Sequence, residues 1–251
     1  MTKKKVLLAG ESWETYSVHI KGFDTFYTSK YEEGADWIVE ALEHAGYKVD
    51  FIPNHRASSN FPTSKEEIDK YEVVILSDIG SNTLLLHPDT FEKSIPTTNR
   101  LKLIKEYVKD GGGFLMIGGY LSFQGIDGKA RYKNTPIEEV LPVKLKSIDD
   151  RIEVPEGMNP KVTKNHEITK GLSKNWPMFL GYNQFKAKSD SKVLAKWKED
   201  PFLVINEYQK GRTAAFASDC APHWGSPEFV KWDEYDKLWG QLISWLAKEI
   251  G

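Results

Sequence analysis

The chain has 251 residues, 34 basic and 36 acidic, for a formal charge of −2, and 40% of it is hydrophobic and 12% aromatic. That balance gives no electrostatic reason to expect nucleic acid or an anionic membrane as partner, and the apolar content excludes disordered and collagen-like classes. The one cysteine, Cys220, allows no internal disulfide and no cysteine cluster for zinc, which predicts a reducing, cytoplasmic location.

In chain order, Val6-Leu7-Leu8-Ala9 ending in Gly10 reads as a buried strand running into a loop. The run is too short for a signal peptide, and no stretch reaches the roughly 18 apolar residues of a membrane span. Tyr31, Ala35, Ile38, Leu42 and Ala45 recur at helical spacing before Gly46, which predicts a helix over 31–45. Val49-Asp50-Phe51-Ile52 then restarts in extended form, completing a βαβ unit. The pattern repeats with a strand over 71–76 that ends on Ser77-Asp78-Ile79-Gly80-Ser81-Asn82, and a helix over 98–108 with Leu101, Ile104, Tyr107 and Val108 on one face. Gly111-Gly112-Gly113 stops that helix, and Phe114-Leu115-Met116-Ile117 is a further buried strand closing on Gly118-Gly119. Apolar strands alternating with amphipathic helices predict a parallel sheet covered on both faces.

The segment 127–200 is less regular and rich in Lys, Pro and Asn. Strands are expected over 192–197, 202–206 and 213–217, the last two joined at Gly211-Arg212 as an antiparallel hairpin appended to the sheet. Tyr235, Leu238, Trp239, Leu242, Ile243, Trp245 and Leu246 outline a final amphipathic helix. Without an internal repeat or a linker, one domain over 1–251 is expected.

Ligands of open parallel sheets bind beyond the carboxyl ends of the strands. Here that rule collects four loops, over 10–13, 78–82, 118–124 and 219–228. Tyr120, Asp219 and His223 are the candidate catalytic residues. Glu11, Trp13, Asp78, Ser81, Asn82, Gly119, Gln124, Arg131 and Trp224 are candidate substrate contacts. Each has a plainer role beside it. Asp78, Ser81 and Asn82 are ordinary turn formers; Glu11 and Trp13 suit a cap as well as a wall; Asp127 and Arg131 suit a surface ion pair as well as closure over a ligand; Asp219 suits a loop cap and His223 a packing residue. As metal ligands, Asp219 and His223 need a third from Asp78 or Glu11, and no metal is predicted. Neither a G-x-G-x-x-G nor a G-x-x-x-x-G-K-[ST] loop is present, so no nucleotide cofactor is indicated. Of eight tryptophans, Trp13 and Trp224 fall in the site loops, and aromatic walls beside carboxylates and a histidine suit a small polar, carbohydrate-like metabolite.

The phrase Gly118-Gly119-Tyr120-Leu121-Ser122-Phe123-Gln124 resembles the strand-to-helix elbow of class I glutamine amidotransferases, whose pattern is glycine, any residue, cysteine, any residue, glycine, any residue, glutamine. Gly118 and Gln124 match, Tyr120 stands at the nucleophile position and Ser122 replaces the second glycine. Asn165-His166-Glu167-Ile168-Thr169-Lys170-Gly171-Leu172 is similar to a helix-entry phrase of amidotransferase-like and ThuA-like proteins. Ser218-Asp219-Cys220-Ala221-Pro222-His223-Trp224-Gly225 looks like a segment of the uncharacterised cytoplasmic branch of the amidotransferase-like superfamily. The resemblance implies a flavodoxin-like three-layer α/β fold, with a mainly parallel sheet, helices on both faces and an antiparallel hairpin extension.

Thioester chemistry needs a thiolate, a base and an oxyanion site, and a phenol with an ordinary pKa near 10 is a poor substitute at neutral pH. Three readings follow: an acid–base or hydrolytic enzyme using Tyr120, Asp219 and His223; a ligand-binding or homo-oligomeric protein without turnover; and a glutamine amidotransferase using Cys220. The last is disfavoured, since Asp219 would raise the thiol pKa and a lone cysteine usually packs as a small hydrophobe.

Overall fold

The computed structural model describes residues 3–251. Its first strand is β1 (Lys5–Gly10), in which Val6, Leu7, Leu8 and Ala9 have no solvent exposure. Next comes a hairpin that the sequence reading did not anticipate, β2 (Ser12–Lys21) and β3 (Asp24–Glu33), paired without a break from Ser12 and Glu33 to Lys21 and Asp24. Gly22, at φ 63°, supplies the positive φ that a two-residue hairpin turn needs at its first central position. This ladder corrects the predicted first helix. Tyr31 is paired with Glu14 in the hairpin, so α1 spans Asp36–His44 and does not start at Tyr31.

The chain continues through β4 (Lys48–Ile52), α2 (Asn54–Asn60), α3 (Lys65–Ile68), β5 (Val73–Ser77), α4 (Ser81–Leu85), α5 (Pro88–Lys93), α6 (Arg100–Asp110) and β6 (Gly113–Ile117). Helix α6 ends where the glycine triplet predicts, with Gly111 at φ 130° as its C-cap. The middle contributes α7 (Pro136–Val140) and the short or paired strands β7 (Val143–Lys144), β8 (Arg151–Met158), β9 (Lys161–Val162), β10 (Phe179–Asn183) and β11 (Lys186–Ala187). It closes with β12 (Lys192–Trp197), β13 (Asp200–Tyr208), β14 (Gly211–Phe216), α8 (Pro227–Val230) and α9 (Tyr235–Leu246).

The main sheet has eight strands in the order β4-β1-β5-β6-β14-β13-β12-β9. The first five are parallel; β13, β12 and β9 extend the sheet antiparallel. Thus β14 is not wholly an appendage: it hydrogen-bonds parallel to β6 on one side and antiparallel to β13 on the other. Strands β5 and β6 are buried at every position, as expected for strands covered on both faces. Helix α9 lies against β6, β14 and α1, while α6 packs against β14, α3, α4 and α7. The resulting α/β architecture, with helices around a mainly parallel sheet, is the predicted flavodoxin-like one.

The elbow after β6 departs from expectation, because no helix follows it. Gly119, Phe123 and Gly125 take positive φ values of 149°, 54° and 71°, each incompatible with α-helix, so 118–125 is an irregular loop that leads only into a 3-10 turn over Ile126–Gly128. Ser81 and Asn82, expected in a loop, open α4. The phrase around His166 forms only a 3-10 turn, Glu167–Thr169, capped by the His166 side chain.

Candidate functional site

The parallel strands deliver their carboxyl ends to one edge, and the acidic residues collect there. Gly10 is at φ 113°, and a Cβ on it would lie 1.8 Å from the Ser77 carbonyl oxygen, so glycine alone lets the ends of β1 and β5 approach this closely. Beyond it the Glu11 N–H donates to the Ser77 carbonyl at 2.8 Å and the Gly34 N–H donates to the Glu11 carbonyl at 2.9 Å. The Ser77 hydroxyl donates to Glu11 Oε2. Asp78 accepts the Leu121 N–H on Oδ1 at 2.6 Å. Asp219, in the loop after β14, accepts the Ala221 N–H at 3.2 Å, and its Oδ2 lies 3.4 Å from Nδ1 of His223.

Glu11 and Asp219 are buried, whereas the His223 side chain is 43% exposed. Burial is the main cause that raises all three carboxyl pKa values, reinforced for Glu11 by the charges of Asp219 and Asp78 and for Asp219 by that of Asp78. Asp219 is pushed up to about 8, so the cluster retains a proton at neutral pH. Cys220 belongs to the same buried cluster, with Sγ 3.9 Å from Ser77 Oγ. Burial first, then the charges of Glu11 and Asp219, drives its thiol well above the ordinary range. Donor atoms of Glu11, Asp219 and Cys220 lie within 4.8 Å of one another, so among the described residues these three have metal-ligand spacing; the protons they hold would have to leave first.

Above the cluster stands an aromatic wall. The Tyr120 ring meets His223 edge-on at 4.5 Å and Trp224 at 5.5 Å, and His223 stacks on Trp224 at 5.5 Å. Glu153 binds two of the three, accepting from the Tyr120 hydroxyl and from Trp224 Nε1, each at 3.0 Å. Arg151 lies 4.8 Å over the Tyr120 ring. Burial, followed by the Glu153 hydrogen bond, raises the Tyr120 pKa and keeps the phenol protonated.

The loop carrying Tyr120 is anchored by buried side chains. Asn183 accepts the Gly119 N–H at 2.9 Å and donates to Asp150 at 2.9 Å, and Asp150 also accepts the N–H groups of Gln124 and Gly125, both at 2.9 Å. The N–H groups of Gly119, Leu121, Gln124 and Gly125 are therefore spent on protein acceptors.

Of the residues singled out from the sequence, Glu11, Asp78, Gly119, Tyr120, Asp219, His223 and Trp224 come together. Trp13 lies at the base of β2, where a Cβ on Gly34 would touch it, Glu11 and Ala221, and its indole N–H donates to Glu32 at 3.3 Å. The others hold the framework. The Ser81 hydroxyl donates to the Arg131 carbonyl at 3.2 Å, and Gln124 accepts the Lys133 N–H at 3.2 Å. Asn82 and Arg131 are exposed. Asp127 pairs with Lys129 at 2.9 Å, correcting the expected partner Arg131. Missed by sequence reasoning were Ser77, Asp150, Arg151, Glu153 and Asn183. Ser77 was open to detection as the last residue of a buried strand, but nothing local distinguishes the other four in the irregular segment.

Residues 5–248 match the family described as "Putative glutamine amidotransferase". The solved "Cytoplasmic Protein STM3548" of Salmonella typhimurium is 49% identical, with TM-score 0.93 over 96% of this chain and 98% of that one. "Cytoplasmic Protein STM1381" of Salmonella typhimurium LT2 is 46% identical, with TM-score 0.93 over 96% and 99%. A ThuA-like protein of Parabacteroides merdae is similar in fold alone, at 11% identity and TM-score 0.59 over 99% and 91%. No protein with a curated description matches. Among the described residues, no helix is long and apolar enough to cross a membrane.

Proposed function

The chain belongs to the family described as "Putative glutamine amidotransferase", and from that membership we propose that it keeps the scaffold as a single domain while replacing thioester chemistry with carboxyl–imidazole acid–base chemistry on a small polar metabolite. The observation that carries this reading is the buried, proton-retaining Asp219 placed 3.4 Å from the part-exposed imidazole of His223. A carboxyl in that position, neutral while it holds its proton, orients the ring through Nδ1 and leaves Nε2 to take or give a proton at the substrate. Tyr120, backed by the buried Trp224, forms the wall against which a polar ring, such as a sugar, would stack, and Arg151 and Glu153 supply charged hydrogen-bonding groups beside it.

Three features weigh against glutamine hydrolysis. Tyr120 occupies the elbow and its hydroxyl proton is committed to Glu153. The one thiol, Cys220, is buried among carboxyls that suppress its thiolate. Four N–H groups of the elbow loop are already bonded, leaving them unable to serve an oxyanion. The names of the Salmonella proteins support a cytoplasmic location for this chain.

One observation favours a second reading, binding without turnover: Glu11 and Asp219 are almost inaccessible, so a ligand would meet His223, Tyr120, Arg151 and Glu153 but neither buried carboxyl. An unbiased metabolite screen by thermal shift, followed by turnover assays on each hit, separates the two. The acid–base reading expects turnover that His223→Ala abolishes and Tyr120→Phe reduces while melting temperatures hold. Hits bound without any turnover would establish the second reading, and glutamine hydrolysis lost in Cys220→Ser would sink both.

A further inference from the structure

The hairpin β2–β3 springs directly from Glu11 and extends about 33 Å, from ten residues at the usual strand rise. Its strands pack chiefly on each other. The body meets it at the base, where α2 lies against β2 and Tyr31 sits edge-on to His55 at 5.1 Å. The pleat sorts the side chains into two unlike faces. By the pairing register, one face carries Thr15, Ser17, Thr28, Lys30 and the stacked His19–Phe26 pair. The other carries Tyr16, Val18, Ile20, Tyr27 and Tyr31, which are between 42% and 73% exposed, with Phe23 fully exposed at the tip. Period-two alternation of this kind is the mark of a strand pair with one face buried. A lone two-stranded ribbon is marginal in water, and beyond Tyr31 at the base, which meets His55, Tyr16, Val18, Ile20 and Tyr27 stay more than half exposed.

We propose that this face is an assembly surface, and that its occupant is the same face of a second copy of the chain, packed across a two-fold axis with the arms antiparallel. The six side chains offer about 800 Å², one partner's share of a standard stable interface. One axis covers both arms at once, because the patch is self-complementary. Charge agrees with the antiparallel arrangement: Glu14 and Glu33 lie on this face at its base, and antiparallel arms keep the two sets of basal acids apart, setting each against the uncharged tip of the other arm, where Ile20 and Thr25 sit. Because β2 starts one residue after Glu11, the assembled arms also brace the strand end that carries the carboxyl cluster.

The test uses the full chain in size-exclusion chromatography with light scattering. The wild type should run as a dimer, and Tyr16→Ser/Ile20→Ser/Tyr27→Ser should halve the mass while circular dichroism and the melting of the body remain native. Phe91→Ser, which removes the exposed aromatic of α5, should leave the dimer intact. Val18→Cys near the middle of the face should cross-link two copies on mild oxidation, a clean readout because Cys220 is buried. A monomeric wild type, a dimer that survives the triple substitution, or a dimer lost in Phe91→Ser would overturn the proposal.

Discussion

Glu11 and Asp78 each follow a strand of the same parallel pair, β1 and β5, and each adopts left-handed backbone, at φ 47° and 46°. A long side chain such as Glu11 is strained there, an Asp less so, and hydrogen bonds to the Ser77 carbonyl and from the Leu121 N–H hold the two residues so that their carboxyls share a buried space with Asp219. Strained conformations and unfavourable burial concentrated at one sheet edge mark a place shaped for chemistry at some cost in stability.

That arrangement dictates a pH dependence. Asp219 titrates near 8 in the folded chain against an ordinary 3.8, so the folded state keeps a proton that the unfolded state releases between about pH 4 and pH 8. Stability therefore falls as pH rises through this window, by up to ~1.4 kcal/mol per pH unit for one proton. Asp219→Asn, which needs no such proton, should flatten the fall in melting temperature from pH 5 to pH 8. Superimposable pH profiles for variant and wild type would show that Asp219 is not the proton holder.

Glu11→Gln extends the argument. Burial and two neighbouring carboxyls push Glu11 upward too, so the neutral amide should be tolerated best at alkaline pH, where the wild-type side chain is under greatest pressure to ionise. Denaturant melts at pH 6 and pH 9 measure this; a larger stability gain at pH 6 than at pH 9 contradicts it.

Gly10→Ala tests how the strand ends are joined. Its Cβ would fall 1.8 Å from the Ser77 carbonyl oxygen, and its φ of 113° suits glycine. Because backbone and not a flexible side chain blocks the space, the substitution should cost more than ~3 kcal/mol by urea unfolding. A loss below about 1 kcal/mol would mean that β1 and β5 can separate at this edge.

Asn183→Ala should loosen the elbow. It removes partners from the Gly119 N–H and from Asp150 in a fully buried site, at a cost of roughly 2–4 kcal/mol. Hydrogen exchange should quicken at Gly119, Gln124 and Gly125, and unchanged exchange there would show that the loop is held by other means.

Cys220 should resist thiol reagents in the native chain and react stoichiometrically after denaturation, since burial and the carboxyls around it suppress the thiolate. Rapid native labelling would reopen the thiol as a nucleophile.

The sequence by itself determined the parallel core, because buried strands such as 73–76 and 114–117 need continuous apolar runs and the helices between them need a 3.6-residue repeat, both written locally. It also placed Tyr120 at the elbow and gathered Asp219 and His223 four residues apart. The arm was open to reading from the alternation of Tyr16, Val18 and Ile20 before Gly22, but an exposed apolar face gives the same pattern as a buried one, and only the fold shows that it stands free. Tertiary structure alone decided the chemistry of the site. Glu11, Asp78 and Asp219 are distant in sequence, and their proton retention arises from shared burial, which no local pattern encodes. Glu153 and Asn183 were invisible for the same reason: each acts through partners brought across from another element, Tyr120 and Trp224 for one, Gly119 and Asp150 for the other.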